Sequence, residues 1–192
     1  LSEIRSRLGP GGVTGYVGGS GAVTDDTQMA LFTADGLIRA SVQQRSGAAA
    51  DRSDMVHQAY LRWLHTQGYD WSRIAGRFPE DQPDGWLVAD KRLHQRRAPG
   101  NTCLSALSSG SAGSIDRRIN DSKGCGGVMR AAPAGLMFAD PSEAFQAGSE
   151  IAAITHGHPS GWLSAGFLAA LISHLLDGSP LDRAVALTRP SL

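Results

Sequence analysis

Apolar and polar positions recur along this chain with the period of about 3.6 residues that amphipathic helices show. One apolar stripe predicts a helix from about Asp25 to Ser41, and a second predicts a helix from Ser53 to Thr66. The first stripe consists of Thr27, Ala30, Leu31, Ala34, Leu37 and Ile38, and the second of Val56, Ala59, Tyr60, Trp63 and Leu64. We expect both stripes to face the core.

The C-terminal third predicts three further helices from the residues at their ends. Asp140-Pro141-Ser142-Glu143 has the order of an N-cap, a proline in the first turn and an acidic third residue, and it predicts a helix that runs to about Thr155. The segment from Ser160 to Asp177 is apolar on nearly every side, which indicates a buried helix that ends at Gly178. Ser179-Pro180-Leu181-Asp182 predicts another helix that begins in the same way.

The remaining segments are irregular or rich in small residues. Residues 1–8 predict a helix end or a connector, residues 9–23 a Gly-rich loop, and residues 98–135 a series of candidate binding loops. Residues 68–92 mix aromatic residues with two prolines and predict irregular structure; they include Tyr69, Trp71, Phe78, Pro79, Pro83 and Trp86. No segment alternates with the period of a strand. The sequence therefore predicts one all-α domain over residues 1–192, a compact orthogonal multi-helix bundle whose long Gly-rich loops form the active cleft.

The charge balance and the cysteine content argue against several classes of protein. Eighteen Lys and Arg residues balance eighteen Asp and Glu residues, so no basic field attracts nucleic acid nonspecifically. Two cysteines, Cys103 and Cys125, are too few for a disulfide framework and predict free thiols in the cytoplasm. The apolar stretch from Trp162 to Leu176 is short for a membrane span, which needs roughly 20 residues. We expect no membrane partner, and the sequence gives no signal for an oligomeric state.

Thr24-Asp25-Asp26-Thr27 is the segment with the clearest chemistry. It places two adjacent carboxylates between two hydroxyls, at the point where a Gly-rich loop becomes a helix. Hard divalent cations such as Mg²⁺ prefer oxygen ligands of this kind. The same residues also suit a helix start in which Thr24 is the N-cap and the aspartates fill the first turn. This segment alone leaves both interpretations open.

Two later segments are candidate ligand loops. Pro99-Gly100 predicts a turn, after which the amide of Asn101 can both donate and accept hydrogen bonds. The second is Asn120-Asp121-Ser122-Lys123-Gly124-Cys125-Gly126-Gly127-Val128-Met129-Arg130, whose backbone N–H groups can form a nest for a phosphate or diphosphate. Lys123 and Arg130 would add charge to that nest. A flexible turn has the same composition and is the alternative.

Thr155-His156-Gly157-His158-Pro159 places two closely spaced histidines at a helix end. The cysteines lack the spacing that would complete a zinc site, so zinc is not favoured. The favoured interpretation of His156 is a hydrogen bond to a ligand or to a backbone carbonyl, and a structural helix terminus is the alternative. The other histidines, His57, His65, His94 and His174, have no such context and predict surface or core positions.

In their order and spacing these segments resemble the ADP-ribosylglycohydrolase family, which includes the dinitrogenase reductase-activating glycohydrolases. The matching pieces are Thr24-Asp25-Asp26-Thr27, Pro99-Gly100-Asn101-Thr102, the segment from Ser122 to Pro133, and Thr155-His156, and they span residues 24 to about 170. The resemblance implies an all-α fold, a binuclear Mg²⁺ (or Mn²⁺) centre, and hydrolysis of the bond between ADP-ribose and an acceptor by metal-activated water at the anomeric carbon.

The resemblance also implies roles for individual residues. Thr24, Asp25 and Asp26 match the family's first metal motif, in which the two catalytic aspartates are metal ligands rather than general bases. The residues that match the family's ADP-ribose contacts are Asn101 near the distal ribose, Ser122, Gly124, Cys125, Gly126, Gly127 and Met129 around the diphosphate and ribose, and His156 against the substrate. Many members have Asn where this chain has Cys125, so a backbone contact is expected there and an amide contact is not.

Two patterns of the family do not occur in this sequence. Members usually open with a G-D-x-x-G-x-x-x-E helix that carries a candidate catalytic acid, and they close with a D-x-D-T motif that completes the metal site. The resemblance therefore implies half a metal site within an internal portion of a longer protein, and it predicts that these residues alone would be inactive. The expected substrate is an ADP-ribosylated protein side chain such as arginine or serine. The alternatives are an inactive ADP-ribose-binding or crystallin-like relative, and a glycohydrolase for ADP-ribosylated nucleic acid or a small molecule.

Overall fold

The structure, a computed structural model, describes residues 1–16, 21–76 and 82–192, and over these ranges it contains helices and no strand. The helices are α1 (Ser2–Leu8), α2 (Asp25–Arg45), α3 (Arg52–Thr66), α4 (Trp71–Ile74), α5 (Trp86–Ala89), α6 (Asn101–Ser108), α7 (Ala132–Met137), α8 (Pro141–Ala153), α9 (Pro159–Leu176) and α10 (Leu181–Thr188), with 3₁₀ turns at Lys91–Leu93, Val128–Arg130 and Arg189–Ser191. The predicted all-α fold is confirmed. Part of the predicted Gly-rich loop (17–20), together with Phe78 and Pro79, lies outside the described residues.

Two helix pairs, α2 with α3 and α8 with α9, build the core. The predicted apolar face of α3 is confirmed, since Val56, Ala59, Tyr60, Trp63 and Leu64 are all fully buried. Helix α2 approaches α3 closely at Gly36, where a β-carbon would lie only 2.6 Å from the Cα of Val56. The pairs meet where α3 contacts α8, and the apolar side chains there form one continuous cluster.

The predicted core-facing stripe of α2 is largely wrong. Of its members only Leu37 is buried; Ala30 and Ala34 are half-buried, and Thr27, Leu31 and Ile38 are exposed. The helix also continues beyond Ser41 to Arg45. The residues that pack against the protein are Asp25, Gln28, Met29, Phe32, Thr33, Gly36, Leu37 and Ala40.

Hydrogen bonds from other helices explain why polar residues belong to this buried face of α2. The Thr33 hydroxyl lies 2.7 Å from the Tyr60 hydroxyl. The amide oxygen of Gln28 accepts a hydrogen bond of 3.1 Å from the indole nitrogen of Trp63. A polar group that is buried with a partner costs little, so these residues replace apolar ones at the α2–α3 contact.

Helix α9 is predicted to be buried on nearly every side, and this prediction is wrong. Its small residues pack against the protein, with Gly161, Ala165, Gly166, Ala169, Ala170 and Ser173 buried, while its larger apolar side chains are half-buried or exposed. By length and composition α9 is apolar enough to cross a membrane, and a third of it is buried within the protein. Its contacts with α7, α8 and α10 are those of a packed helix in a bundle.

Helix ends follow the predicted signals at α8 and depart from them elsewhere. Asp140 is the N-cap of α8, and its carboxylate accepts the Ser142 N–H at 2.9 Å. Pro180 occupies the N-cap position of α10, so the predicted start at Ser179 is wrong and no side chain caps that helix. The predicted turn at Pro99-Gly100 leads directly into α6, a helix that the small residues after Asn101 concealed.

Candidate active site

The N-terminus of α2 places the carboxylates of Asp25 and Asp26 in different surroundings. Asp25 is buried, and its Oδ2 accepts the Gly100 N–H at 3.3 Å. Asp26 is exposed, and its Oδ2 accepts the Thr24 hydroxyl at 2.9 Å. Burial raises the pKa of the Asp25 carboxyl, and the charge of Asp26 acts in the same direction, while the Gly100 hydrogen bond opposes both. Thr24 holds the N-cap position, but its hydroxyl accepts no hydrogen bond from the helix backbone.

Helix α6 lies between this end of α2 and the loop of residues 120–127. The chain ahead of α6 packs on α2, where the Arg97 carbonyl accepts the Asp25 N–H at 3.2 Å. In the first turn of α6 the Thr102 hydroxyl lies 3.2 Å from the Ser122 hydroxyl, which begins the loop. The two predicted groups of site residues therefore flank the start of α6. Asn101, the first residue of that helix, is exposed between them.

The loop from Asn120 to Gly127 wraps the imidazole ring of His156. A β-carbon on Gly126 would lie 2.7 Å from His156 Cε1, and one on Gly124 would lie 3.4 Å from Nε2. Close packing therefore requires glycine at position 126, whereas a β-carbon at position 124 would make an ordinary van der Waals contact. Within the described residues, the backbone N–H groups of Cys125, Gly126 and Gly127 meet no hydrogen-bond acceptor.

Asn120 holds the loop to the segment that carries His156. Its amide nitrogen donates to the Thr155 carbonyl at 2.8 Å. Its amide oxygen accepts the Ser122 N–H at 3.0 Å and the Gly157 N–H at 3.1 Å. One side chain thereby fixes the spacing of both sides of the site. The sequence assigns Asn120 no individual role, and the only signal for it is that asparagine commonly accepts a hydrogen bond from the backbone two residues on, as in an Asx turn.

His156 is 1% exposed, and its Nδ1 lies 2.8 Å from the Thr155 hydroxyl. Burial, followed by the charge of Arg130, lowers the pKa of His156 to about 4. The imidazole is therefore neutral at neutral pH. A neutral histidine in this position contacts a ligand through a hydrogen bond and not through a full charge.

Arg130 was expected to add charge to the exposed loop, and that expectation is wrong because its side chain is fully buried. The guanidinium lies 4.3 Å from the centre of the Tyr60 ring, a cation–π contact. It donates to Thr155 Oγ1 at 2.6 Å and lies 3.5 Å from the Cys103 thiol. Burial raises the pKa of that thiol, against the influence of Arg130. Lys123 is exposed, as a ligand-facing cation would be.

The predicted site residues fall into three groups in space. Thr24, Asp25 and Asp26 lie at the start of α2, Asn101 opens α6, and His156 with the 122–127 loop lies beyond it. Cys125 is exposed, and Met129 is half-buried against the core. Cys103, which borders the loop at Gly126, had no sequence signal beyond being one of two cysteines.

The start of α2 offers oxygen ligands to a cation. Two carboxylates and one hydroxyl are the hard donors that Mg²⁺ selects, and a cation would offset two adjacent negative charges of which one is desolvated. In the part of the chain that the structure describes, no group of three or more His, Cys, Asp or Glu side chains is placed to hold a metal. The chemistry of these donors therefore fits part of a Mg²⁺ coordination shell.

Comparison with known proteins identifies the family of this chain. No curated protein and no solved structure matches it. The family model described as ADP-ribosylglycohydrolase matches residues 1–191, essentially the whole sequence. That match agrees with the helical fold and with the resemblance carried by the four motifs. The chain belongs to the ADP-ribosylglycohydrolase family, and its activity is that of a hydrolase of this type.

Proposed function

We propose that this protein is a Mg²⁺-dependent (or Mn²⁺-dependent) hydrolase that removes ADP-ribose from a protein side chain such as arginine or serine. The family supplies the class of reaction. The observation that carries the finer proposal is the arrangement around the start of α6. The adjacent carboxylates of Asp25 and Asp26 lie on one side, and a loop with three available backbone amides lies on the other.

The loop of residues 120–127 suits the diphosphate of ADP-ribose. The N–H groups of residues 125–127 meet no acceptor among the described residues, so they are available to an anion. The first turn of α9 also adjoins the loop, since a β-carbon on Gly161 would lie 3.0 Å from the Ser122 carbonyl oxygen. Free amides and a helix N-terminus together favour a phosphate. The neutral ring of His156 would add a hydrogen bond to the same ligand.

Thr24, Asp25 and Asp26 would hold the metal in this proposal, and the two-ion centre of the family would need ligands beyond these three. A bound Mg²⁺ lowers the pKa of water and orients it near the substrate. Asp25 is kept in place by its hydrogen bond from Gly100, and Asp26 by its hydrogen bond from Thr24. These contacts hold two carboxylate oxygens in fixed positions before substrate arrives.

The reaction breaks the bond between the anomeric carbon of the ribose and the acceptor atom. The oxygen of water forms the new bond to that carbon, one proton of the water goes to the acceptor, and the products are free ADP-ribose and the unmodified side chain. The transition state resembles an oxocarbenium cation. The aspartates at the start of α2 would act here as metal ligands and would not bond to the reacting carbon. Anchoring the diphosphate on the loop would hold the anomeric carbon toward them, which is the contribution of positioning.

Two other functions are weighed against this one. An inactive ADP-ribose-binding or crystallin-like relative would keep the loop, but it would gain nothing from a buried Asp25 beside a second carboxylate, an arrangement that costs free energy. A glycohydrolase for ADP-ribosylated nucleic acid or a small molecule would use the same chemistry on another acceptor. The formal net charge of zero gives the nucleic-acid acceptor no support.

We place the activity in the cytoplasm, because the thiols of the chain are free.

The decisive experiment measures release of ADP-ribose from ADP-ribosyl-arginine and ADP-ribosyl-serine peptides by the full-length protein, with Mg²⁺ and then with chelator. The test variant is Asp25→Asn. The control is Asp182→Asn, which makes the same change at an exposed aspartate in the first turn of α10. Binding of ADP-ribose to each protein is measured by calorimetry in parallel.

We expect Mg²⁺-dependent release that Asp25→Asn abolishes and Asp182→Asn preserves, with ADP-ribose binding kept in both variants. Binding without release from either peptide would favour the inactive relative or another acceptor. Equal release by Asp25→Asn and the wild type would refute the assignment of the aspartates. Absence of both binding and release would refute the proposed substrate.

A further inference from the structure

Arg130 is a fully buried cation whose neighbours are neutral. Its Nη1 donates toward the sulfur atoms of Met29 and Cys103, at 3.7 and 3.5 Å. Its Nη2 donates to the Ile151 carbonyl at 3.2 Å and to Thr155 Oγ1 at 2.6 Å. Within the described residues no carboxylate pairs with this guanidinium. A buried, unpaired arginine is costly, which indicates that the positive charge has a use.

The short bond to Thr155 determines where the hydroxyl proton of that residue points. A guanidinium only donates, so Thr155 Oγ1 must be the acceptor of the bond from Arg130. The hydroxyl dipole then directs its oxygen toward the cation and its hydrogen away. His156 Nδ1 lies 2.8 Å from the same oxygen and is the stronger of the two acceptors within reach of that hydrogen. The competing acceptor is the Cys103 thiol, a weak acceptor that already receives a hydrogen from Arg130.

An Nδ1 atom that accepts a hydrogen bond carries no proton, so the proton of the neutral ring lies on Nε2. That nitrogen faces the loop: it lies 3.4 Å from the position of a β-carbon on Gly124 and 3.0 Å from one on Gly126. The hydrogen of Nε2 is therefore directed to the side where the backbone amides of residues 125–127 are also available. All of these groups donate hydrogen bonds.

We propose that Arg130 acts through the Thr155 hydroxyl as a positioning residue that fixes His156 in the Nε2–H tautomer, so that His156 presents a donor to an anionic or oxygen-bearing ligand. Neither Arg130 nor Thr155 touches the ligand in this relay. The tautomer is inferred from the contacts among Arg130, Thr155 and His156, whereas its use in binding ADP-ribose rests on the proposed function. His156 accordingly serves as a hydrogen-bond donor and not as a general base.

The test uses the full-length protein with ¹⁵N-labelled histidine and long-range ¹H–¹⁵N correlation spectra near neutral pH, which distinguish a protonated from an unprotonated ring nitrogen. The signals of His156 are assigned as those missing from His156→Gln. The test variant is Thr155→Val, which keeps the shape of the side chain and removes the hydroxyl. Thr155→Ser restores the hydroxyl. The matched control is Thr188→Val, which removes another buried hydroxyl; among the described residues that hydroxyl bonds to the Ala184 carbonyl.

We expect an unprotonated Nδ1 and a protonated Nε2 in the wild type, in Thr155→Ser and in Thr188→Val, and a changed tautomer signature in Thr155→Val. The Kd for ADP-ribose is expected to rise about tenfold in Thr155→Val alone, the loss of roughly one hydrogen bond. A wild-type spectrum with the proton on Nδ1 would overturn the inference, and so would a Thr155→Val spectrum that matches the wild type. If the spectra show the predicted tautomers but the wild type does not bind ADP-ribose, the role of Arg130 and Thr155 in fixing the tautomer would be supported and the proposed ligand would be refuted.

Discussion

The low pKa of His156 predicts a pH dependence of stability that a single substitution should remove. In the unfolded chain an ordinary histidine takes up a proton as the pH falls below about 6.5, whereas the buried ring of His156 stays neutral until the pH reaches about 4. Between these values the unfolded state binds more protons than the folded state. The free energy of unfolding must therefore fall as the pH falls through this window, and the effect is complete below it.

The size of this effect follows from the two pKa values. Each pH unit inside the window contributes up to about 1.4 kcal/mol, so the whole window from 6.5 to about 4 contributes about 3 kcal/mol. His156→Gln removes the titrating group and keeps an amide that can accept the Thr155 hydroxyl. The difference in unfolding free energy between wild type and variant should shift by this amount across the window, and it should be constant above about pH 7.

Urea denaturation at a series of pH values, followed by the fluorescence of the four tryptophans, measures this difference. Subtracting the unfolding free energy of the variant from that of the wild type at each pH cancels the contribution of the carboxylates, which titrate in both proteins. The region above neutral pH serves as an internal control, because neither protein titrates at this site there. If the unfolding free energies of the two proteins ran parallel between pH 6.5 and about 4, the reasoning would be refuted. Parallel curves would mean that the buried ring is protonated as readily as a histidine in the unfolded chain.

Three further predictions concern close packing and thiol exposure. Gly126→Ala should weaken ADP-ribose binding by at least tenfold in calorimetry, because its β-carbon would lie 2.7 Å from the His156 ring. Gly15→Ala, whose β-carbon would meet no atom of the described residues within 4 Å, should bind normally, and equal affinities of the two variants would count against the packed loop. Gly36→Ala should lower the unfolding free energy by about 1–3 kcal/mol, because its β-carbon would meet the backbone of α3; a loss below about 0.5 kcal/mol in urea titrations would contradict that contact. A thiol reagent should modify one cysteine, Cys125, in the native protein, and saturating ADP-ribose should slow that reaction; two equally fast thiols, or no protection, would argue against the exposed position in the site.

The sequence predicted the helices whose buried faces are apolar, and it failed where polar groups are buried with partners. The predicted face of α3 was correct because the stripe from Val56 to Leu64 consists of apolar and aromatic residues, although the same helix also buries His57, Arg62 and Thr66. The face of α2 was wrong because Gln28 and Thr33 belong to it, and their partners Trp63 and Tyr60 come from another helix. A hydrophobic pattern cannot show hydrogen bonds between residues that are distant in the chain.

The same limit explains which parts of the candidate site were visible in the sequence. The aspartates and the Gly-rich loop were identified because their local composition is unusual, and the family resemblance linked them. Arg130 was predicted to add charge to the loop, since an arginine is rarely buried without a carboxylate. Its contacts with Tyr60, Cys103 and Thr155 come from three separate helices or helix ends, and only the fold brings them together.

Asn120 separates the position of the loop from the identity of the side chains at its tip. Its three hydrogen bonds tie the start of the loop to the backbone around His156, so the distance between the two does not depend on the side chains at the tip. The side chains of Lys123 and Cys125 are exposed at that tip, and among the described residues neither makes a hydrogen bond or an ion pair that holds the loop in place. Substitutions at these two positions should therefore change what the tip presents to a modified protein and leave the distance between the loop and His156 unaltered.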